Sequence, residues 1–109
     1  MNAEEIREYI LQKPNVTEGF PFGEDTLVFK VKGKIFALIA LESSPLQFNV
    51  KCDPAQAIEL REEYPDNVLP GYHMNKKHWN TVMADTGLSK RQLLEMIDES
   101  YRLVAKNKG

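Results

Sequence analysis

The seven residues from Ile35 to Leu41 constrain the fold of this chain more than any other segment, because all of them are apolar. A strand with apolar side chains on both faces is typical of the centre of a sheet. The run is too short for a membrane span, which requires roughly 18 apolar residues. Residues 27 to 31 alternate just before it, and the intervening Lys32-Gly33 predicts a tight turn in which glycine adopts a positive φ. The sequence therefore predicts a β-hairpin whose second strand is central.

Three helices are predicted around the strands from their N-terminal signals. The first covers residues 3 to 13 and follows a capping box that begins at Asn2. The second begins at Asp53-Pro54, which combines a favourable N-cap with proline at the first helical position. The third is long and follows a second capping box that begins at Ser89, and its apolar residues recur at helical spacing.

The predicted order of elements is α-β-β-β-α-β-β-α, with residues 15 to 26 as a loop. The strands are predicted at 27–31, 34–41, 46–51, 68–72 and 77–83. A five-stranded antiparallel sheet with three helices on one face is a two-layer α+β sandwich. At this length the chain is expected to be one domain, residues 1–109. Six side chains are predicted to be buried: Leu27, Phe29, Phe48, Val50, Ile97 and Tyr101.

Composition and cysteine content narrow the class of protein. The chain is 42% hydrophobic and 28% charged, which is typical of a soluble globular domain. Its first residues have no basic region and no apolar core of a secretory signal, so a cytoplasmic location is expected. Cys52 is the only cysteine, which excludes an internal disulfide and a zinc site with four thiolates. We expect Cys52 to be a small buried residue.

Charge is segregated along the chain although the net charge is only −2. Residues 27 to 51 carry four lysines against Glu42, and residues 67 to 83 carry two lysines and no acidic residue. The rest of the chain carries eight basic and 15 acidic side chains. If the basic segments form the sheet, the sheet side is basic and the helical side more acidic, and such a dipole can orient a polyanion.

Residues 70 to 83 form the most unusual stretch for binding. They contain both histidines, the only tryptophan, two lysines and two asparagines, and no acidic residue. A strand needed only for packing would alternate apolar side chains with arbitrary polar ones. The stretch therefore indicates a binding edge within a hairpin.

This stretch also carries a resemblance to a known family. Together with Pro21-Phe22-Gly23, residues 33–38, residues 51–54 and Ser100-Tyr101 with Leu103-Val104, it resembles the MmcQ/YjbR family. These are small bacterial proteins described as DNA-binding proteins with a double-wing motif. The resemblance covers nearly the whole chain and implies an α+β fold similar to that of type III secretion chaperones.

Duplex DNA binding is the first functional hypothesis. Lys32 and Lys34 flank one predicted hairpin tip, and Lys76 and Lys77 lie at the other, where they can reach phosphates as two wings. Lysine at exposed edges also blocks aggregation, so these residues have a purely structural explanation as well. Trp79 can stack on a base or can belong to the core. The candidate nucleic-acid-binding residues are Lys30, Lys32, Lys34, Lys51, His73, Asn75, Lys76, Lys77, His78, Trp79 and Asn80.

Catalysis, a metal and a cofactor are not expected. His73 and His78 have no carboxylate between them that would complete a metal site or orient a base. No phosphate-binding glycine loop is present.

The second hypothesis is a protein-interaction adaptor or chaperone-like module. The apolar central strand must present one set of side chains away from the helices, and an uncovered patch there would bind a protein partner or a second copy of the chain.

Overall fold

Three helices cover one face of a six-stranded antiparallel sheet in the computed structural model, which describes residues 1–71 and 74–106. The helices are α1 (Ala3–Leu11), α2 (Pro54–Glu63) and α3 (Lys90–Lys106). The strands are β1 (Val16–Gly19), β2 (Thr26–Val31), β3 (Lys34–Ala40), β4 (Gln47–Lys51), β5 (Val68–Pro70) and β6 (Trp79–Met83). Their order in the sheet is β1-β2-β3-β4-β6-β5. The α+β class, the three helices and the antiparallel sheet are confirmed, whereas the prediction of five strands was wrong.

The additional strand is β1, which lies in the segment predicted as a loop. It pairs with β2 from Val16 opposite Val31 to Gly19 opposite Val28. Glu18 accepts two hydrogen bonds from Arg7 of α1, at 2.7 and 2.6 Å. A four-residue edge strand that is stabilised by contacts from a helix leaves almost no periodicity in the sequence, because most of its side chains stay exposed.

The central strand and its hairpin form as predicted. β3 pairs with β2 on one side and with β4 on the other. Lys32 and Gly33 have φ values of 54° and 77°, and positive φ at both turn residues is what a type I′ hairpin turn requires. The pairing of β2 with β3 shifts register between Phe29 and Lys30. Beyond this shift Phe36 is buried, and its ring meets that of Tyr101 edge to face.

Local hydrogen bonds start the three helices. Asn2 accepts from the Glu5 backbone N–H at 2.8 Å, and its own N–H donates to the Glu5 carboxylate at 3.0 Å. The same reciprocal pair links Ser89 with Gln92, at 2.8 and 3.1 Å. Asp53 accepts from the backbone of the first turn of α2. All three predicted N-terminal signals are confirmed, and α1 ends at Leu11 rather than at residue 13.

The core lies between the helices and the face of the sheet that they cover. Five of the six side chains predicted to be buried are buried there: Leu27, Phe29, Phe48, Val50 and Ile97. Tyr101 is only half-buried, because its hydroxyl reaches out to donate to the Pro14 carbonyl at 2.7 Å.

The last two strands are shorter than predicted, and residues 72 and 73 lie outside the described part of the chain. No helix in the described part is long and apolar enough to cross a membrane.

Candidate nucleic-acid interface

The topology brings two hairpin connections to one end of the sheet. β2 and β3 are antiparallel and meet at the turn of residues 32 and 33. β4 ends beside the start of β6, where Lys51 lies opposite Trp79. The connection between β5 and β6 lies at the same end, because Pro70 pairs with Asn80. We call this the basic end, defined by Lys32, Lys34, Lys51, Lys76 and Lys77.

The opposite end of the sheet is acidic. Its strand connections carry Glu24, Asp25, Glu42, Asp66 and Asp85, and we call it the acidic end. At the basic end, Asp53 uses its carboxylate to cap α2. The sequence indicated a basic sheet side and an acidic helical side, whereas in the structure the segregation also runs along the strands. A molecule with this dipole presents the basic end first to an approaching polyanion.

Lys32 is exposed at the hairpin turn, but its amino group has a partner in a helix. Its Nζ donates to the Ala105 carbonyl at 2.7 Å, near the C-terminus of α3. The last carbonyls of a helix have no partner within the helix, and a cation there also opposes the helix dipole. Lys32 therefore stabilises the end of α3, and its predicted contact with phosphate stays a prediction. Lys106 follows Ala105 directly and so also lies beside the basic end.

The other lysines of the candidate site, Lys30, Lys34, Lys51, Lys76 and Lys77, have no ion-pair partner within the described residues. Lys76 and Lys77 are exposed, and Lys34 and Lys51 are half-buried at the ends of their strands. Lys30 is half-buried in β2, beside Thr17 of β1. Lysines without an ion-pair partner keep their charge available for a ligand.

The connection before β6 is held in a compact shape by its own backbone. The Asn75 carbonyl accepts from the N–H groups of His78 and Trp79, at 3.1 and 3.0 Å, and the Asn75 side chain accepts from Lys77 N–H at 3.0 Å. His78 and Trp79 are both half-buried. Asn75 thus acts as a turn residue that presents Lys76 and Lys77. His73, the remaining predicted site residue of this segment, lies outside the described residues.

Asn80 does not belong to the lysine-bearing surface. It is 1% exposed on the helix-covered face, and its Oδ1 accepts from Arg61 Nε at 2.7 Å. Arg61 also donates to the Trp79 carbonyl at 3.1 Å and to the Lys76 carbonyl. Arg61, which sequence reasoning missed as a site residue, therefore attaches α2 to the connection that carries the lysines. No local pattern identifies it, since its partners lie at least 15 residues away.

The face of the sheet opposite the helices is the open face, which includes Val28, Leu38 and Asn49. Val28 and Leu38 are 1% and 4% exposed although no helix covers them. A cavity of about 390 Å³ on this face is lined by Leu38 and Asn49 together with Phe22 and Met74 from two loops. Phe22 is 65% exposed, and Phe20 beside it is 52% exposed. The apolar side chains expected on this face are present, but Val28 and Leu38 are shielded from solvent, and the exposed apolar surface belongs instead to Phe20 and Phe22 of the neighbouring loop.

No group of three or more His, Cys, Asp or Glu side chains within residues 1–71 and 74–106 is arranged to hold a metal ion. Cys52 is buried, as predicted, and its burial together with the nearby Asp53 and Glu99 carboxylates raises the pKa of the thiol to about 11. A thiol with such a pKa is a poor nucleophile at neutral pH.

These features define a class of protein: a small α+β domain with three helices on one face of an antiparallel sheet and lysines gathered at one end of that sheet. The sequence model of the YjbR family matches residues 11–103. The chain belongs to this family, and the resemblance to MmcQ/YjbR proteins is confirmed.

Similar proteins extend over nearly the whole chain. Escherichia coli O157:H7 protein YbdF is 39% identical over 102 residues, which cover 93% of this chain and 82% of YbdF. Escherichia coli K12 protein YjbR is 29% identical over 102 residues, covering 94% and 86%. The crystal structure of Deinococcus radiodurans protein DR2400, with domain DUF419, has a TM-score of 0.93 at 38% identity and covers 99% of this chain and 81% of that chain. A Pseudomonas syringae protein at 24% identity shares the fold, with a TM-score of 0.77 and coverage of 95% and 99%.

Proposed function

We propose that this protein binds duplex DNA through the basic end of its sheet and is not an enzyme. The observation that carries the proposal is the meeting of both hairpin connections at one end, with lysines that have no ion-pair partner within the described residues. Phosphate contacts from lysine set affinity and orientation without reading sequence. The proposed contact residues are Lys34, Lys76 and Lys77, with Lys30 and Lys51 beside them.

The spacing of the lysines fits a groove-sized target. Lys34 begins β3, Lys51 ends β4 and the connection with Lys76 and Lys77 precedes β6, and these three strands are neighbours. Adjacent strands lie about 4.8 Å apart, so the lysine-bearing ends span on the order of 10 Å. A major groove is about 12 Å wide. The basic end is therefore wide enough to contact the phosphates that border one groove.

The test compares two matched double variants in a fluorescence titration with duplex DNA at several salt concentrations. We expect Lys76→Ala/Lys77→Ala to weaken binding across all sequences and to reduce the slope of log K against log salt by up to about 1.8, since each phosphate contact contributes about 0.9. Adding Lys34→Ala should reduce the slope further. The control is Lys90→Ala/Arg91→Ala, which removes two adjacent exposed cations from the opposite end of α3.

Lys90 and Arg91 are a better control than Lys106, because α3 is 17 residues long and so separates them from the basic end by about 24 Å. Equal losses in both double variants would show that binding follows net charge alone, against the proposed interface. The absence of measurable affinity of the wild type at low salt would contradict DNA binding altogether.

The open face supports a second candidate, an adaptor or chaperone-like module that binds a protein partner or a second copy. The observation in its favour is the pair of exposed aromatic rings, Phe20 and Phe22, beside the cavity on that face. Exposed apolar patches of this kind often mark surfaces that bind a protein partner. Analytical ultracentrifugation of the wild type and of Phe20→Ser/Phe22→Ser tests self-association: a dimer that the double variant abolishes would support this candidate.

A further inference from the structure

Two exposed aromatic rings lie beside the open face of the sheet, and each of them lines a cavity there. Phe22 lines the cavity of about 390 Å³ over β3 and β4, which we call the first cavity. Phe20 lines a second cavity of about 310 Å³ over β1 and β2, together with Val28. The two cavities are two strand spacings apart, or on the order of 10 Å across the sheet. One bound segment can therefore place an apolar side chain in each.

Side-chain amides supply the polar part of the first cavity. Gln47 and Asn49 line it from alternate positions of β4, and no charged residue among the described residues lines it. Asn49 Oδ1 accepts from the Thr81 hydroxyl at 2.5 Å, whereas Asn49 Nδ2 donates to none of the described residues. A side-chain amide offers a carbonyl acceptor and N–H donors, as a peptide bond does. The cavity is therefore suited to the backbone of an apolar peptide segment.

Carboxylates without an ion-pair partner lie next to the aromatic rings. Glu24 and Asp25 follow Phe22 in the same loop. Glu42 lies beside them, because the N–H of Leu41 donates to the Asp25 carbonyl at 2.9 Å. All three carboxylates are exposed, and none has an ion-pair partner within residues 1–71 and 74–106.

Cations are scarce on the same surface. Among the described residues that line the two cavities, Lys30 is the only cation. Glu18 also lines the second cavity, and its charge is compensated by Arg7 at 2.6 Å. Three unpaired carboxylates against one lysine leave this surface negative. Such a surface repels a polyanion and favours a cationic partner.

We propose that this surface binds a basic peptide segment of a partner protein, one with two apolar anchor side chains and lysine or arginine residues beside them. The anchors enter the two cavities, and Gln47 and Asn49 form hydrogen bonds with the backbone of the segment. The cations of the segment face Glu24, Asp25 and Glu42, and an arginine also stacks on an exposed phenylalanine ring. This inference rests on the second candidate function, a protein-interaction module, and adds the chemistry of the partner. It does not depend on DNA binding at the basic end.

The experiment selects binders from a phage-displayed library of randomised short peptides. The wild-type protein is the target, and Phe20→Ser/Phe22→Ser is the counter-target. We expect enriched peptides to carry at least two apolar residues and a net positive charge. Enrichment of acidic or uncharged peptides would overturn this inference but leave the protein-interaction candidate in place. No enrichment over the double variant would contradict both.

Titration of the most enriched peptide, followed by fluorescence anisotropy, then tests the aromatic rings. Phe20→Ser/Phe22→Ser should weaken binding by at least about thirtyfold, as the loss of aromatic anchors does at other interfaces. Both rings are exposed, so the double variant should fold as the wild type does. The control is Ile58→Ser, which removes an exposed apolar side chain from α2 on the other side of the sheet and should leave binding unchanged. Equal losses in the two variants would refute this site.

The same titration tests the carboxylates. Glu24→Gln/Asp25→Asn/Glu42→Gln should weaken peptide binding roughly fivefold at low salt and less at high salt, because exposed charges are screened. Wild-type affinity of this triple variant at low salt would refute the role of charge. An oligothymidylate strand is the competing ligand. If it binds the wild type and loses affinity with Phe20→Ser/Phe22→Ser, the face binds nucleic acid and the peptide assignment is wrong.

Discussion

At the scale of the residue, Gly71 shows how one missing side chain permits the approach of two strands. A Cβ built at Gly71 would lie 2.7 Å from Trp79 Cβ. The backbone N–H of Gly71 already donates to the Trp79 carbonyl at 2.9 Å, so the two segments are held close together. We expect Gly71→Ala to lower the free energy of unfolding by about 1–3 kcal/mol, because the strands must separate to admit the methyl group. Gly19→Ala is the control, since a Cβ added at Gly19 would have no contact within 4 Å. Urea denaturation measures both variants, and equal midpoints would disprove the steric argument.

At the scale of the element, Ser100 explains how α3 is attached to the sheet. Its hydroxyl donates to the Phe36 carbonyl of β3 at 2.5 Å and accepts from the Lys51 N–H of β4 at 2.8 Å, just beyond the last paired residues of these strands. Ser100→Ala leaves both backbone groups without this partner, and we expect a loss of about 1–3 kcal/mol in stability. The Lys51 amide should also exchange faster with deuterium. Lys90→Ala on the same helix is the control, and an unchanged Lys51 exchange rate would contradict this role.

At the scale of the whole molecule, the distance between the basic and acidic ends decides whether the two interact. The molecule extends 32 × 29 × 25 Å. The Debye length is about 8 Å at 0.15 M salt and about 30 Å at 0.01 M. We therefore expect Glu24→Gln/Asp25→Asn/Glu42→Gln to raise DNA affinity at 0.01 M and to leave it unchanged at 0.15 M. Titrations at the two concentrations test this, and an equal gain at both would place the acidic residues at the DNA itself.

Part of the candidate site follows from local sequence, and part does not. The Lys32-Gly33 turn, the exposed Lys76 and Lys77, and burial of Cys52 were predicted correctly. The contact of Lys32 with α3 and the burial of Asn80 were not predicted, because each depends on a residue at least 19 positions away. Alternation along β6 also leaves open which face of the strand the helices cover.

The sequence by itself determined the helix starts, the hairpin turn, the central strand and the α+β class. Each of these depends on hydrogen bonds or apolar periodicity within a few residues, which a local pattern records. Only the tertiary structure decided that β1 exists, that the lysines meet at one sheet end, and that Asn80 is buried and bound to Arg61. These features arise from packing between segments far apart in the chain, where β1, Lys32 and Asn80 acquire partners that no local pattern specifies.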